Sequence, residues 1–269
     1  MQIQYFSAAS QVNWARSLFL TLALTAGGFG WQADRARAAS PDTAPVPIKA
    51  ALTQIDAAAN NRDLQTVLQF YSENFTNTDG LTRQSLADAL TALWKRYPKL
   101  TYRTEIKSWK ADGNGFMVET VTTITGIQRA DGKEMALTAT LRAQQRVEGN
   151  KIVRQEILAE RSQLTSGAKP PTVQIILPEQ VTVGQAYNFD AIVKEPLGDG
   201  VLLGTAIEEP VRASNYLVTS PAELEILSAG GIYKTGRAPN TPESRWISAV
   251  LVREDGMVII TQRLRVVPK

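Results

Sequence analysis

The chain has 269 residues, 43% of them hydrophobic and 20% charged, a composition of globular rather than disordered proteins. It contains no histidine and no cysteine, which removes Ser-His-Asp and Cys-His nucleophiles, the usual zinc sites and disulfides. The net charge of +3 falls to +1 without the first 38 residues, where three arginines face one aspartate, so no clustered basic surface points to nucleic acid.

Arg16 precedes the apolar run Ser17 to Ala26; Gly27, Gly28 and Gly30 follow, and then Ala36-Arg37-Ala38. A basic end, a short apolar core and an A-x-A site make residues 1–38 a secretory signal peptide, with cleavage expected after Ala38. The run falls short of the about 20 apolar residues that span a bilayer, although an uncleaved anchor is the alternative. The expected location is extracytoplasmic: periplasm, cell envelope or secreted. Residues 39–47, with Pro41, Pro45 and Pro47, read as an extended arm.

Residues 48–165 begin as helices. Ile48, Leu52, Ile55 and Ala59 share one helical face; Asp63 is positioned to cap a second helical stretch at Leu64, Val67, Leu68 and Tyr71. Thr82 opens a third, striped by Leu86, Leu90, Leu93 and Tyr97 and ended by Pro98. Four alternating stretches follow, over 100–110, 116–127, 135–147 and 152–164. Turns at Asp112-Gly-Asn-Gly115, Asp131-Gly132 and Gly149-Asn150 join them into an antiparallel meander.

Helices followed by such a meander resemble the nuclear transport factor 2-like superfamily, which includes the SnoaL-like proteins. The stretch from Ala58 to Phe75 is similar to that family's first-helix bend, 79–83 to the start of its next helix, and Ile152 to Ile157 to its closing strand. The resemblance covers about 115 residues. It implies an α+β cone, helices packed on a curved antiparallel sheet around an internal pocket, in a family of enzymes, binding modules and scaffolds alike.

Residues 166–171, small and polar and ending in Pro170-Pro171, read as a linker. From 172 to 269 only strand patterns occur: Val173 to Leu177, Val181 to Val183, Tyr187 to Val193, Leu202 to Ile207, Ala222 to Leu227, Trp246 to Arg253 and Met257 to Val267. Short strands without helices predict an all-β sandwich. The segment Val181 to Phe189 resembles bacterial immunoglobulin-like domains, although there is no cysteine pair and Trp246 comes late.

The aromatic side chains of the first domain all precede residue 117, and Tyr71, Trp94, Tyr97, Tyr102 and Trp109 are the candidate ligand-binding residues for a flat apolar molecule. The plain alternative is that they fill the cone as core. An enzyme of the kind the resemblance implies would use a carboxylate base with a phenol, from Glu119, Asp79 or Glu105 and Tyr71, Tyr97 or Tyr102. Glu119 shares its strand face with Met117, Val121 and Thr123; if the opposite face, Phe116 to Ile124, is the buried one, Glu119 is solvated. The run from Arg154 to Arg161 reads as a charged strand face, free to pair with neighbouring strands or across a dimer. No metal site or cofactor is expected; Asp112 to Gly115 lacks calcium-loop spacing. The expectation is an exported non-catalytic binding or scaffolding protein. A small hydrophobic ligand, an envelope protein partner and a homodimer through the first domain's sheet are its candidate associations. A cofactor-independent isomerase or hydrolase-like enzyme is the alternative.

Overall fold

The computed structural model describes residues 39–269 apart from 131, 199 and 217–221, so the signal-peptide reading falls outside the described residues. Helix α1 (Val46–Asn60) buries Ile48, Leu52, Ala58 and Ala59. Asp63 caps α2 (Leu64–Gln69) by accepting from the Thr66 amide at 3.0 Å, and Thr82 and Ser85 form a reciprocal capping box on α3 (Arg83–Arg96). Tyr71, expected in the second helix, instead begins β1 (Tyr71–Asn77). Helix α2 is one and a half turns long, and the chain leaves it at Phe70 to run parallel to a later strand. That pairing lies 80 residues away and has no local signature.

The meander is as expected: β2 (Lys99–Asp112), β3 (Gly115–Ala130), β4 (Lys133–Glu148) and β5 (Lys151–Gly167) pair antiparallel in sequence order. At the tight turn into β5, Gly149 and Asn150 both take positive φ, 52° and 64°, as a two-residue hairpin requires. Strand β2 would be an exposed sheet edge, but it is plugged from the helix side. Asn60 accepts from the Tyr102 amide at 2.7 Å and donates to its carbonyl at 3.1 Å, while Asp56 accepts from the Thr104 amide at 2.6 Å. Edge groups bonded in this way offer no template to another strand.

The sheet does not stop where the linker was expected. Ser166 and Gly167 are the last residues of β5, which pairs along Arg161–Gly167 with β13 (Gly256–Val267) near the end of the chain. At 17 residues β5 is long enough, about 3.3 Å per residue, to hold β1 along its first half and β13 along its second. Gly167 makes the join possible: its φ is +99°, and a Cβ there would lie 2.4 Å from the Asp255 carbonyl oxygen.

The remaining strands are β6 (Val173–Ile176), β7 (Gln180–Thr182), β8 (Ala186–Val193), β9 (Leu203–Pro210), β10 (Glu225–Ile226), β11 (Gly231–Arg237) and β12 (Glu243–Arg253). The order β10-β9-β12-β13-β5-β4-β3-β2 makes one sheet, with β1 on β5 and β7 on β13, and β11-β8-β6 makes another. The small sheet packs on the end of the large one. Tyr187, Phe189 and Ala191 of β8 meet Ile247, Ala249 and Leu251 of β12 and Val258, Ile260 and Leu264 of β13 in a single core. The second part is therefore all-β in two layers, one of them a continuation of the first domain's sheet. Strand β11, which contains two glycines and no apolar alternation, was not read from the sequence, and only two residues of the expected strand Ala222 to Leu227 pair.

Candidate functional site

The helices close over the concave side of β2–β5 and pack it with two apolar clusters. Trp94, Tyr97 and Tyr102 meet in one with Val67 and Leu100; Phe75, Val118 and Ile152 form the other with Ile48 and Leu52. The Trp94 indole donates to the Tyr102 hydroxyl at 3.0 Å. Tyr97, with Arg96 5.8 Å from its ring centre, is also buried. Burial raises the hydroxyl pKa values of Tyr97 and Tyr102. Tyr71 bridges the two clusters edge-on to Phe75, 4.9 Å between ring centres; burial and then the Asp56 charge push its hydroxyl up to about 12. Three of the five candidate aromatic residues thus converge and Tyr71 adjoins them, while Trp109 packs against the other cluster, edge-on to Phe116 at 5.9 Å, and donates to Thr43 near the N-terminal arm at 3.2 Å. The hollow beneath α1, between Leu52, Ile55, Val118 and Gln145, measures about 10 Å³, room for about one water.

The three candidate carboxylates lie in three different places. Val118 and Thr120 are fully buried, so the inward face of β3 is the one carrying Phe116, Thr122 and Ile124. Glu119 points the other way, 3.4 Å from Arg142 and 3.5 Å from the Ser108 hydroxyl, and meets no tyrosine among its described bonds. Glu105 is exposed on β2, where the bond from Lys107 and the charges of Lys107 and Arg103 hold its carboxyl below the usual range. Only Asp79 is buried, in the loop between β1 and α3.

Asp79 is the centre of a polar network that ties the two parts of the chain together. Arg263 of β13, with a side chain 0% exposed, grips it with two parallel bonds of 2.8 Å, from Nη1 to Oδ1 and from Nη2 to Oδ2. The same guanidinium reaches Glu160 of β5, from Nε at 3.1 Å and from Nη2 at 2.9 Å. Tyr216 donates its hydroxyl to Asp79, and Trp246 of β12 donates its indole N–H to Glu160 at 3.0 Å, the two rings lying edge to face 5.2 Å apart. Two further bonds hold the Asp79 loop itself, from its amide to Asn77 at 2.6 Å and from the Ala213 amide to its carbonyl at 3.0 Å. Burial disfavours the Arg263 charge, but the Asp79 bonds and the Glu160 and Asp79 charges outweigh it and raise its pKa. Burial and then the Asp79 charge push the Tyr216 hydroxyl far above its usual range.

A carboxylate and a phenol do therefore meet, but the phenol comes from the second part of the chain and a guanidinium occupies both carboxylate oxygens. A general base needs a lone pair facing a substrate, and here Arg263 engages both Asp79 oxygens, with Tyr216 on Oδ2 as well. The geometry is that of a fully bonded buried ion pair, which fixes one arrangement of its partners. Arg263, Glu160, Tyr216 and Trp246 were not singled out from the sequence as a site. Glu160 lay in the run read as a charged strand face, and other members of that run do pair across strands, Glu156 with Arg265 of β13. A hollow of about 640 Å³ is an open cleft where β4, β5 and the β12–β13 turn meet, lined by Lys133, Glu134, Arg253, Glu254 and Asp255 without a dominant sign of charge. Among the described residues no cluster of acidic residues could hold a metal ion, and no helix is long and apolar enough to cross a membrane.

Residues 52–155 match the family model of the SnoaL-like domain, and residues 168–267 match that of a domain of unknown function, DUF8623. The search of curated proteins found no match. Among solved structures the chain is similar to Bd1075 of Bdellovibrio bacteriovorus, at 18% identity over 41% of this chain and 38% of that one, with a TM-score of 0.31. It spans less than two fifths of the length of Bd1075. An LEH-like epoxide hydrolase of M. tuberculosis is similar at 16% identity over 41% of this chain and 80% of that one, TM-score 0.30. A protein of Catenulispora acidiphila with a ketosteroid isomerase-like fold is similar at 14% identity over 43% and 85%, TM-score 0.30.

Proposed function

We propose that this chain, a SnoaL-like domain followed by an all-β domain of unknown function, is an exported non-catalytic scaffold that meets a protein partner at the cell envelope. The observation that carries the reading is the filled cone. Trp94, Tyr97 and Tyr102 pack in one apolar cluster, the hollow beneath α1 measures about 10 Å³, and the one buried candidate carboxylate, Asp79, is bound by Arg263. A cone that serves a small apolar ligand or substrate needs a preformed pocket of a few hundred Å³. What is left to a partner is surface, above all the charged outer face of β3–β5 with Glu119, Arg142, Arg146 and Glu156.

The immunoglobulin-like reading of the second part finds support in its strand order. Sheets β11-β8-β6 and β10-β9-β12-β13, with β7 parallel to the last strand, follow the E-B-A and C′-C-F-G order of such sandwiches. Trp246 lies on the strand equivalent to F rather than C, and there is no disulfide for it to cover.

Native mass spectrometry of mature protein purified from its own envelope tests the proposal. The expected result is bare protein without a stoichiometric small molecule, together with a protein recovered by cross-linking through Lys110 of β2, which lies beside Arg146 and Glu156 on that face. A stoichiometric apolar molecule whose retention is lost on Trp94→Ala would overturn it.

A further inference from the structure

The two strand orders end in four edge strands, β2 and β10 of the large sheet and β6 and β11 of the small one, and three of these are blunted against another strand. Asn60 and Asp56 plug β2, and Ala39 bridges it further along by donating its amide to the Trp109 carbonyl at 2.8 Å. Strand β6 is four residues long, between Pro170-Pro171 and Pro178. Strand β11 sets Lys234 opposite the buried Phe189, a cation on the core side of an edge strand, with Gly231 at its start and Gly236 near its end. The fourth edge, β10, is built differently. Glu225 and Ile226 pair with β9, opposite Gly204 and Leu203, and the next residue, Leu227, donates its amide to the Leu202 carbonyl at 2.8 Å. Leu202 and Leu227 belong to the sandwich core, whereas their neighbours face water: Ile226 is 75% exposed, Val201 58% and Leu224 41%. All three lie within two residues of the Ile226–Leu203 pair. Glu223 and Glu225, interleaved with Leu224 and Ile226, are exposed too, and neither has an ion pair or a side-chain hydrogen bond among the described residues.

We propose that the β10 edge docks an extended segment of a partner protein in which basic and aliphatic residues alternate. A strand added to a sheet edge is held by its backbone, and its alternate side chains meet the two faces. Laid along 223–226, the segment sets aliphatic side chains beside Leu224 and Ile226 and withdraws their surface from water. On the other face it sets lysine or arginine beside Glu223 and Glu225, the opposite-charge pairing that favours adjacent strands. The same carboxylates decide against a second copy of this chain. Two β10 edges laid antiparallel bring Glu223 and Glu225 against their own counterparts, and like charges across strands repel. The site stands at the far end of the large sheet from β2, apart from the outer face of β3–β5, and so is a second docking surface with its own partner chemistry.

The experiment titrates the full chain against fluorescein-labelled peptides and reads fluorescence anisotropy. The probes are Lys-Val-Lys-Val-Lys-Val, its counterpart Glu-Val-Glu-Val-Glu-Val, and the lysine peptide with every backbone amide N-methylated. The parent should bind the unmodified lysine peptide and neither of the others. Leu224→Ser with Ile226→Ser should weaken that binding by about tenfold, the loss expected when an anchor is removed. Glu223→Lys with Glu225→Lys should abolish it and admit the glutamate peptide instead. All four side chains are exposed, so unchanged urea midpoints confirm that the variants fold. No binding of the lysine peptide overturns the proposal, as does binding that survives either pair of substitutions or the N-methylation. Sedimentation velocity of the full chain covers the other occupant: a dimer dissolved by Leu224→Ser with Ile226→Ser gives the edge to a second copy and overturns the proposal too.

Discussion

Arg263→Met is the sharpest test of the junction. Methionine fills much of the arginine's volume but removes the guanidinium, so Asp79 and Glu160 are left near one another without their shared counter-charge. Asp79, with a side chain 3% exposed, is too enclosed to find water, whereas Glu160 at 25% can turn part-way outward. Breaking a buried pair from one side costs about 3–5 kcal/mol, because an unpaired charge stays behind. In a chain of this size that is a fall in Tm of roughly 10 °C. Adding Asp79→Asn to Arg263→Met removes the stranded charge, so the double variant should be more stable than the sum of the single losses predicts, with a coupling of about 1–3 kcal/mol. Urea unfolding followed by tryptophan fluorescence and by circular dichroism supplies both numbers, and coincident curves would show one cooperative unit. A loss below about 1 kcal/mol for Arg263→Met, the range of ordinary surface changes, would refute the argument that this pair locks the two parts together.

Glu119→Gln touches only Arg142 and Ser108 on the outer face, so its stability should stay within about 1 kcal/mol of the parent in the same urea titration. The raised Tyr71 pKa means that the folded chain holds this proton longer than the unfolded one, whose tyrosines ionise near 10. Its contribution is complete below pH 10 and is lost as pH climbs toward about 12; Tyr71→Phe should flatten the alkaline decline in Tm over that window. Cleavage within 168–171 should leave the halves associated on size exclusion, because seven paired positions of β5 and β13 and the Arg263 bonds cross the cut; separation into two fragments, each with the parent's Tm, would contradict this.

The elements legible in the sequence are those written locally. Asp63 and Thr82 cap the helices they precede, Gly149-Asn150 makes a two-residue turn, and period-two alternation marks each strand of the meander. Strand β1 escaped because Tyr71 continues the apolar spacing of α2, and what ends the helix is the β5 edge waiting to be paired, which lies far along the chain. Strand β5 takes the first two residues of the expected linker for a related reason. Ser166 and Gly167 are poor strand formers in isolation, and they extend here only because β4 and β13 flank them.

The candidate site divides along the same line. That the first domain's aromatic side chains gather around one interior follows from their placement on helices and on strands of one meander. Whether that interior is a pocket or a core depends on volumes, which no spacing records. Arg263 was invisible for a stricter reason. In β13 the residues at 258, 260, 264 and 266 face the sandwich core, and Arg263 sits on the alternate face, where a solvated strand would also carry a charge. Period two reports that one face is apolar; it cannot report that the other is covered by a loop placed 184 residues earlier. A polar face buried by a distant segment and a polar face in water have the same pattern. What separates them is that the buried one must have every charge matched, as Asp79 and Glu160 match Arg263 here, with Tyr216 and Trp246 donating to the two carboxylates. Two carboxylates on one guanidinium, each held in turn by an aromatic donor, bring together two strands and two loops around Arg263, which is a condition on the folded chain as a whole; for that reason the junction, rather than the cone, is where this protein departs from what its local sequence declares.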